Sequence, residues 1–243
     1  MNSSIVIDKR FCGPPNSGNG GYVCGMVDRQ TPYQSEVTLR KPPPLDLEMK
    51  VQWADNQVQV VREETLIAAA REGAFSLEAP AIPSFKEARE ASKDYLKFQD
   101  KHSFPTCFVC GPDRKEGDGL RIFPGLVAGT DTVAAPWIPF KGLEDASGAV
   151  SSEYIWAALD CPGAFALMHD RFSPMVLGRM SCEILHPIYP GEQCVVIGWP
   201  NGADGKKLFS GTAVYNEKQE LCAIATAIWF RVDLAKFEAS RVS

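Results

Sequence analysis

The chain has 243 residues, enough for one large domain or two small ones, and its 45% apolar and 23% charged residues suit a globular protein with a sizeable core. A formal net charge of −5 argues against a general nucleic-acid binder, although an anionic small ligand needs only a local basic patch. No apolar run is long enough to span a bilayer, and the first ten residues lack the apolar core of a signal peptide. A cytoplasmic location is therefore expected, with no membrane partner and with the eight cysteines as reduced thiols.

Ile5 to Ile7 reads as a short strand, and residues 11–21 are too rich in Gly and Pro for regular structure. Tyr22, Val23, Met26 and Val27 fall at helical spacing, ending near Asp28. Residues 35–42 read as a strand stopped by Pro42-Pro43-Pro44. Met49 to Trp53 and Val58 to Val61 alternate around Ala54-Asp55-Asn56, the pattern of a hairpin. Thr65 to Ala70 fits a strand or a helix. Residues 77–103 read as a linker that contains an exposed, charged helix from Phe85 to Phe98. Together this gives a first unit over 1–76, the linker, and a second unit over 104–243.

The second unit opens with a loop over 103–119. Strands are expected at Leu120–Phe123, Thr132–Pro136, Val176–Pro187, Gln193–Trp199, Leu208–Tyr215 and Leu221–Val232. A loop is expected at 170–174, and turns at Pro190-Gly191, Asn201-Gly202 and Asn216-Glu217. Between the first strands and the meander lies a helix from Ser151 to Gly163, apolar from Ile155 to Leu159, with Ser151 or Ser152 as its cap. Asp160 interrupts this apolar run. Pro162 has no N–H and crowds the carbonyl of Ala158, so the helix should kink or break there. A carboxylate beside such a kink breaks local rules, as functional sites do. The other reading is a helix that simply ends at a solvated Asp160.

The two units match. Gly21–Asp28 lies over Glu153–Asp160 at an offset of 132 residues, with Tyr, a β-branched residue and Asp recurring in place. Val37 to Pro42 lies over Cys182 to Pro187 at an offset of 145. Each unit is a helix followed by several strands, the pattern of an internal duplication.

In this order of motifs the chain resembles the double hotdog acyl-CoA thioesterases. Asn19 to Val23 looks like the start of the central helix in acyl-CoA thioesterase II-like proteins, and residues 37–46 like the strand and turn after it. Cys107 to Gly111 with Gly119-Leu120 is similar to the opening of phenylacetyl-CoA-type single-hotdog thioesterases, and Trp156 to Asp160 matches the helix acid of both groups. The resemblance implies an α+β double hotdog, with two helix-plus-antiparallel-sheet units forming a pseudo-dimer. It implies an acyl-CoA or acyl-carrier-protein substrate, hydrolysis of the thioester and no cofactor. Oligomerisation beyond the pseudo-dimer stays open.

The family also implies a site at the seam, where the helix start of one unit polarises the thioester carbonyl and the helix acid of the other acts as base. The chemistry is sound, because free N–H groups at a helix start hold an oxyanion and a nearby carboxylate activates water. Within one unit the helix start and the acid are about 10 Å apart, so the pair must cross the seam. One seam joins Asn19, Gly20, Gly21 and Tyr22 to Asp160, the candidate catalytic acid. The second joins Ser152 and Glu153 to Asp28, and there Glu153 would oppose an oxyanion. Trp156, Phe165 and Met168 are candidates for the acyl pocket, and Arg114, Lys115 and Arg171 for the phosphates of coenzyme A. The family's helping Thr falls at Gly178 or Ser181, and the last strand has no Gln, so only the Asp carries over. A protein that binds acyl thioesters without hydrolysis is the alternative. A hotdog dehydratase ranks last, because its Asp and His lie four to five residues apart, whereas the next His after Asp160 is His169.

Cys107 and Cys110 form a lone CxxC. Cys12, Cys24 or His102 could complete a zinc set, but a structural zinc needs four ligands and no second CxxC exists, so no metal is expected. Cys161 beside Asp160 is read as a small buried filler rather than a nucleophile, since none of His102, His169 and His186 is near it in sequence. Ser210-Gly211-Thr212 reads as part of a strand.

Overall fold

A computed structural model describes residues 3–97, 99–168 and 173–233. One antiparallel sheet of eleven strands runs through them, in the order β1-β3-β4-β5-β2-β8-β11-β10-β9-β7-β6. The first half holds β1 (Ser3–Val6), β2 (Ser35–Leu39), β3 (Glu48–Ala54), β4 (Gln57–Arg62) and β5 (Thr65–Glu72). The second holds β6 (Gly125–Leu126), β7 (Val133–Trp137), β8 (Met175–Ile184), β9 (Cys194–Asp204), β10 (Lys207–Tyr215) and β11 (Leu221–Arg231). The helices are α1 (Gly20–Asp28), α2 (Phe85–Leu96), α3 (Ser152–Ala158) and α4 (Cys161–Leu167).

The halves join where β2 pairs with β8, with Glu36 opposite Ser181. Glu36 and Ser181 are counterparts at the 145-residue offset, so an approximate two-fold axis passes between them. The helices obey the same symmetry. A Cβ on Gly21 would touch the Ala157 backbone, and one on Gly25 would touch the Glu153 backbone. These two pairs exchange under the 132-residue offset. Helices α1 and α3 therefore cross antiparallel and very close, with glycine where the backbones meet. The repeated tyrosines Tyr22 and Tyr154 face each other with ring centroids 5.7 Å apart.

The sequence expectations meet the structure unevenly. The hairpin turn at Asp55-Asn56 is present, with positive φ at both residues as a type I′ turn requires. Thr65 to Ala70 is strand. Leu120–Phe123 is not, because Arg121 takes a φ of 54°, and pairing begins only at Gly125. Asn201-Gly202 lies inside β9, and the β9–β10 turn falls at Gly205-Lys206. Ser151 occupies the cap position of α3 without a side-chain cap bond. Helix α2 is not a solvated linker element. Its Ala88, Ala91, Ser92 and Tyr95 are buried, Ser92 Oγ donates to the Phe123 carbonyl, and Tyr95 Oη donates to the Cys110 carbonyl.

Candidate functional site

The helix beneath the seam breaks where Asp160 sits. Helix α3 ends at Ala158, Asp160 holds the cap position of α4, and Pro162 follows at the start of α4. This break turns the carboxylate toward the other half of the chain. Asp160 is only 3% exposed. Its Oδ2 accepts a hydrogen bond from Asn19 Nδ2 at 2.7 Å, the Gly21 amide faces the carboxylate, and Oδ1 has no partner among the described residues. Burial pushes its pKa up to about 7, against the lowering effect of the Gly21 and Asn19 donors. Both protonation states of Asp160 are then present near neutral pH.

Asn19 is also the cap of α1, since its Oδ1 accepts from the Tyr22 amide at 2.9 Å. One carboxamide thus binds its own helix through oxygen and the opposite acid through nitrogen. The N–H groups expected to hold an oxyanion are mostly engaged. The Asn19 amide goes to the Phe11 carbonyl, that of Tyr22 to Asn19, and that of Gly21 faces Asp160. The Gly20 amide alone lacks a partner among the described residues.

Asn19, Gly20 and Asp160 line a cavity of about 240 Å³. Phe165, Met168, Leu177 and Phe230 give it apolar walls, and Gly178 also lines it. Trp156 does not; it is 1% exposed and packs at the α1–α3 crossing. Arg114 does not reach the cavity either. Its guanidinium is held by the carbonyls of Thr106 and Arg10, by Asp118 and by the Cys12 sulfur. Lys115 is exposed and absent from the lining. The cations that do line the cavity are Arg40 and Lys41, both exposed and in no ion pair among the described residues. Their position after β2 follows from the chain turning at Pro42, a signal present in the sequence but read there only as a strand end. Arg171 and His169 lie outside the described residues.

The second seam is closed differently. Glu153 Oε1 pairs with Arg29 Nη1 at 2.8 Å, and Asp28 accepts from Ser35 Oγ at 2.6 Å. Glu153, the counterpart of Gly21, is thus held by Arg29, the counterpart of Cys161, while Asp28, the counterpart of Asp160, is bonded within its own unit. Ser152 is half-buried at the start of α3.

His102, Cys107, Cys110 and Cys161 line the cavity beside Asp160, so residues 102–110 fold across the seam. Cys12 and Cys24 stand apart from this group: Cys12 bonds to Thr106 and Arg114, and Cys24 lies within α1.

No protein-family model matches the chain, and no curated protein matches it in sequence. Among solved structures it is similar over nearly its whole length to the TesB protein of Mycobacterium avium subspecies paratuberculosis, with a TM-score of 0.60 at 9% identity, covering 96% of this chain and 93% of that one. The chain has the double hotdog fold. This hotdog pair is likewise similar to a candidate thioesterase from Novosphingobium aromaticivorans, with a TM-score of 0.59 at 12% identity and 96% of each chain covered. A candidate thioesterase II from Thermobifida fusca gives a TM-score of 0.59 at 12% identity, over 96% of this chain and 92% of that one. At such identities the likeness is one of fold, and the double hotdog is what these proteins share. No helix among the described residues is long and apolar enough to cross a membrane.

Proposed function

We propose that the chain hydrolyses an acyl thioester in the cavity at its first seam. The observation that carries this reading is the 2.7 Å bond from Asn19 to Asp160, which joins the helix start of one unit to the helix acid of the other at the cavity wall. In its ionised form Asp160 takes the proton from a water that attacks the thioester carbonyl. The unengaged Gly20 amide holds the oxyanion, and Asp160 returns the proton to the departing thiolate. Asn19 keeps the carboxylate aimed. The cavity, at about 240 Å³, lies below the ~300–1,000 Å³ of drug-sized pockets, which favours an acyl group of few carbons. Arg40 and Lys41 supply positive charge for the phosphates of a coenzyme A or carrier-protein arm.

One observation favours a second reading, binding without turnover: Asn19 and Gly21 direct their donors at the acid and not at a substrate carbonyl. A panel of acyl-CoA esters of increasing chain length, followed by thiol release and by calorimetry, separates the two. Thiol release that is fastest for short acyl groups and lost in Asp160→Asn supports hydrolysis. Tight binding with no release across the panel establishes the second reading in its place.

A further inference from the structure

Cys107, Cys110 and Cys161 come from two segments that are remote in sequence, yet their three Sγ atoms lie within 4.8 Å of one another. The Cys107 and Cys161 sulfurs are 3.7 Å apart. A tetrahedral ion with Zn–S bonds of about 2.3 Å sets sulfur–sulfur edges of about 3.8 Å. Cubane iron–sulfur clusters hold their cysteine sulfurs much farther apart, so the spacing selects a single ion.

The hydrogen bonds around the sulfurs point the same way. Asn19 Nδ2 lies 3.8 Å from the Cys107 sulfur, and the amides of Val109 and Cys110 face it. His102 Nε2 lies 3.4 Å from the Cys110 sulfur. The Phe104 amide donates to His102 Nδ1 at 2.9 Å, so the neutral ring carries its proton on Nε2 and donates it to sulfur. The donors are thus arranged for Cys107 and Cys110 as thiolate acceptors, and the Cys161 sulfur meets Cys107 directly. Three thiolates this close repel one another unless a cation lies between them.

We propose that Cys107, Cys110 and Cys161 bind one Zn(II) ion, with the fourth coordination position facing the cavity. His102 and Asn19 act on this site through their N–H···S bonds and do not ligate the metal. All three cysteines line the cavity, so water or a donor atom of a substrate can fill the fourth position. Three protein ligands with one open position is the pattern of reactive rather than purely structural zinc. The CxxC alone did not disclose this, because the third ligand is the residue after Asp160, 54 residues beyond Cys107 in the chain.

The inference rests on the thiols and not on the hydrolysis proposed above, and its test does not use turnover. The full chain is purified without chelators from zinc-supplemented cells and analysed for metals. Chelated protein is then titrated with Co(II), and the thiolate-to-cobalt charge-transfer and tetrahedral ligand-field bands are followed. The expected result is one zinc per chain and a tetrahedral cobalt spectrum. Cys110→Ser and Cys161→Ser should lower cobalt affinity by more than about 100-fold, and His102→Ala by about 10- to 100-fold. Cys222→Ala, at a buried cysteine outside the cavity, should leave the affinity unchanged. Asp160→Asn should keep the metal. Substoichiometric zinc with no cobalt spectrum in the unsubstituted chain would overturn the proposal, as would a Cys107–Cys161 disulfide found by mass spectrometry. Copper in place of zinc in the purified protein would overturn the identity of the ion.

Discussion

Asn19 Nδ2 donates to Asp160 Oδ2 at 2.7 Å although 141 residues separate them in the chain. The contact exists because α1 and α3 cross with glycine at their meeting points and because the second helix breaks at Asp160. A carboxylate that is 3% exposed needs a partner to be tolerated there, and the partner comes from the other unit. The seam is therefore a place where fold and chemistry depend on the same side chain.

Replacing Asn19 by Ala should lower global stability by about 2–3 kcal/mol, combining a lost helix cap with a buried acid left without its donor. Urea denaturation monitored by tryptophan fluorescence measures this. A change below about 0.5 kcal/mol would show that the bond contributes little to the folded state.

Gly25→Ala should destabilise the chain by about 1–2 kcal/mol, even though alanine favours helix by up to ~1 kcal/mol. The new Cβ would lie 2.6 Å from Glu153 Cα and 3.0 Å from Trp156 Cβ, where backbone cannot yield. At Gly20 the nearest atoms belong to the Leu177 side chain, at 2.8 Å. Because the closest of them, Leu177 Cβ, is fixed to its strand, Gly20→Ala should also lower stability, and it should alter KM as well, because Leu177 lines the cavity. Paired thermal melts and steady-state kinetics distinguish the two effects.

Asp28 sets a pH dependence of stability. Burial raises its pKa from the ordinary 3.8, with the Ser35 bond opposing. A carboxyl group whose folded pKa lies above its unfolded value favours the native state while protonated. That advantage is complete below about pH 4 and is lost as pH rises through the raised value. Asp28→Asn should match the parent chain in acid and exceed it in stability at neutral pH. Denaturation midpoints from pH 3 to pH 8 test the sign, and a variant less stable at neutral pH would refute it.

Arg40→Ala and Lys41→Ala should each raise KM for a coenzyme A ester by about two- to fivefold, the effect of ~0.4–1 kcal/mol expected for an exposed ion pair. Neither should change kcat, nor the KM of a short thioester that lacks phosphates. Arg114→Ala should act through stability, because its side chain ties the loop to Arg10 and Thr106.

Much of this was legible in the residues themselves. The recurrence of Tyr22 and Tyr154, and of Asp28 and Asp160, pointed to the duplication because each pair occupies equivalent sites about the two-fold axis. The break at Pro162 followed from its missing N–H. Strand limits were less readable: Asn201-Gly202 has the composition of a turn, yet the strand continues through Asp204 before reversing at Gly205. The direction of the Asn19 amide was not legible, since a cap residue at a glycine-rich start fits an oxyanion donor equally well. Nor was the approach of Cys107 and Cys110 to Cys161. It depends on an irregular loop folding over the seam, and such loops carry no periodic signal.

The account stands most directly on a double-mutant cycle of Asn19→Ala, Asp160→Asn and their combination, read as kcat/KM for the best acyl-CoA ester. Asp160→Asn should lose about 10²–10⁴-fold. Asn19→Ala should lose less, and the double variant should be no worse than Asp160→Asn, because Asn19 acts through the carboxylate. Losses that multiply, or an Asp160→Asn chain with full turnover, would contradict a cross-seam pair at the centre of the chemistry.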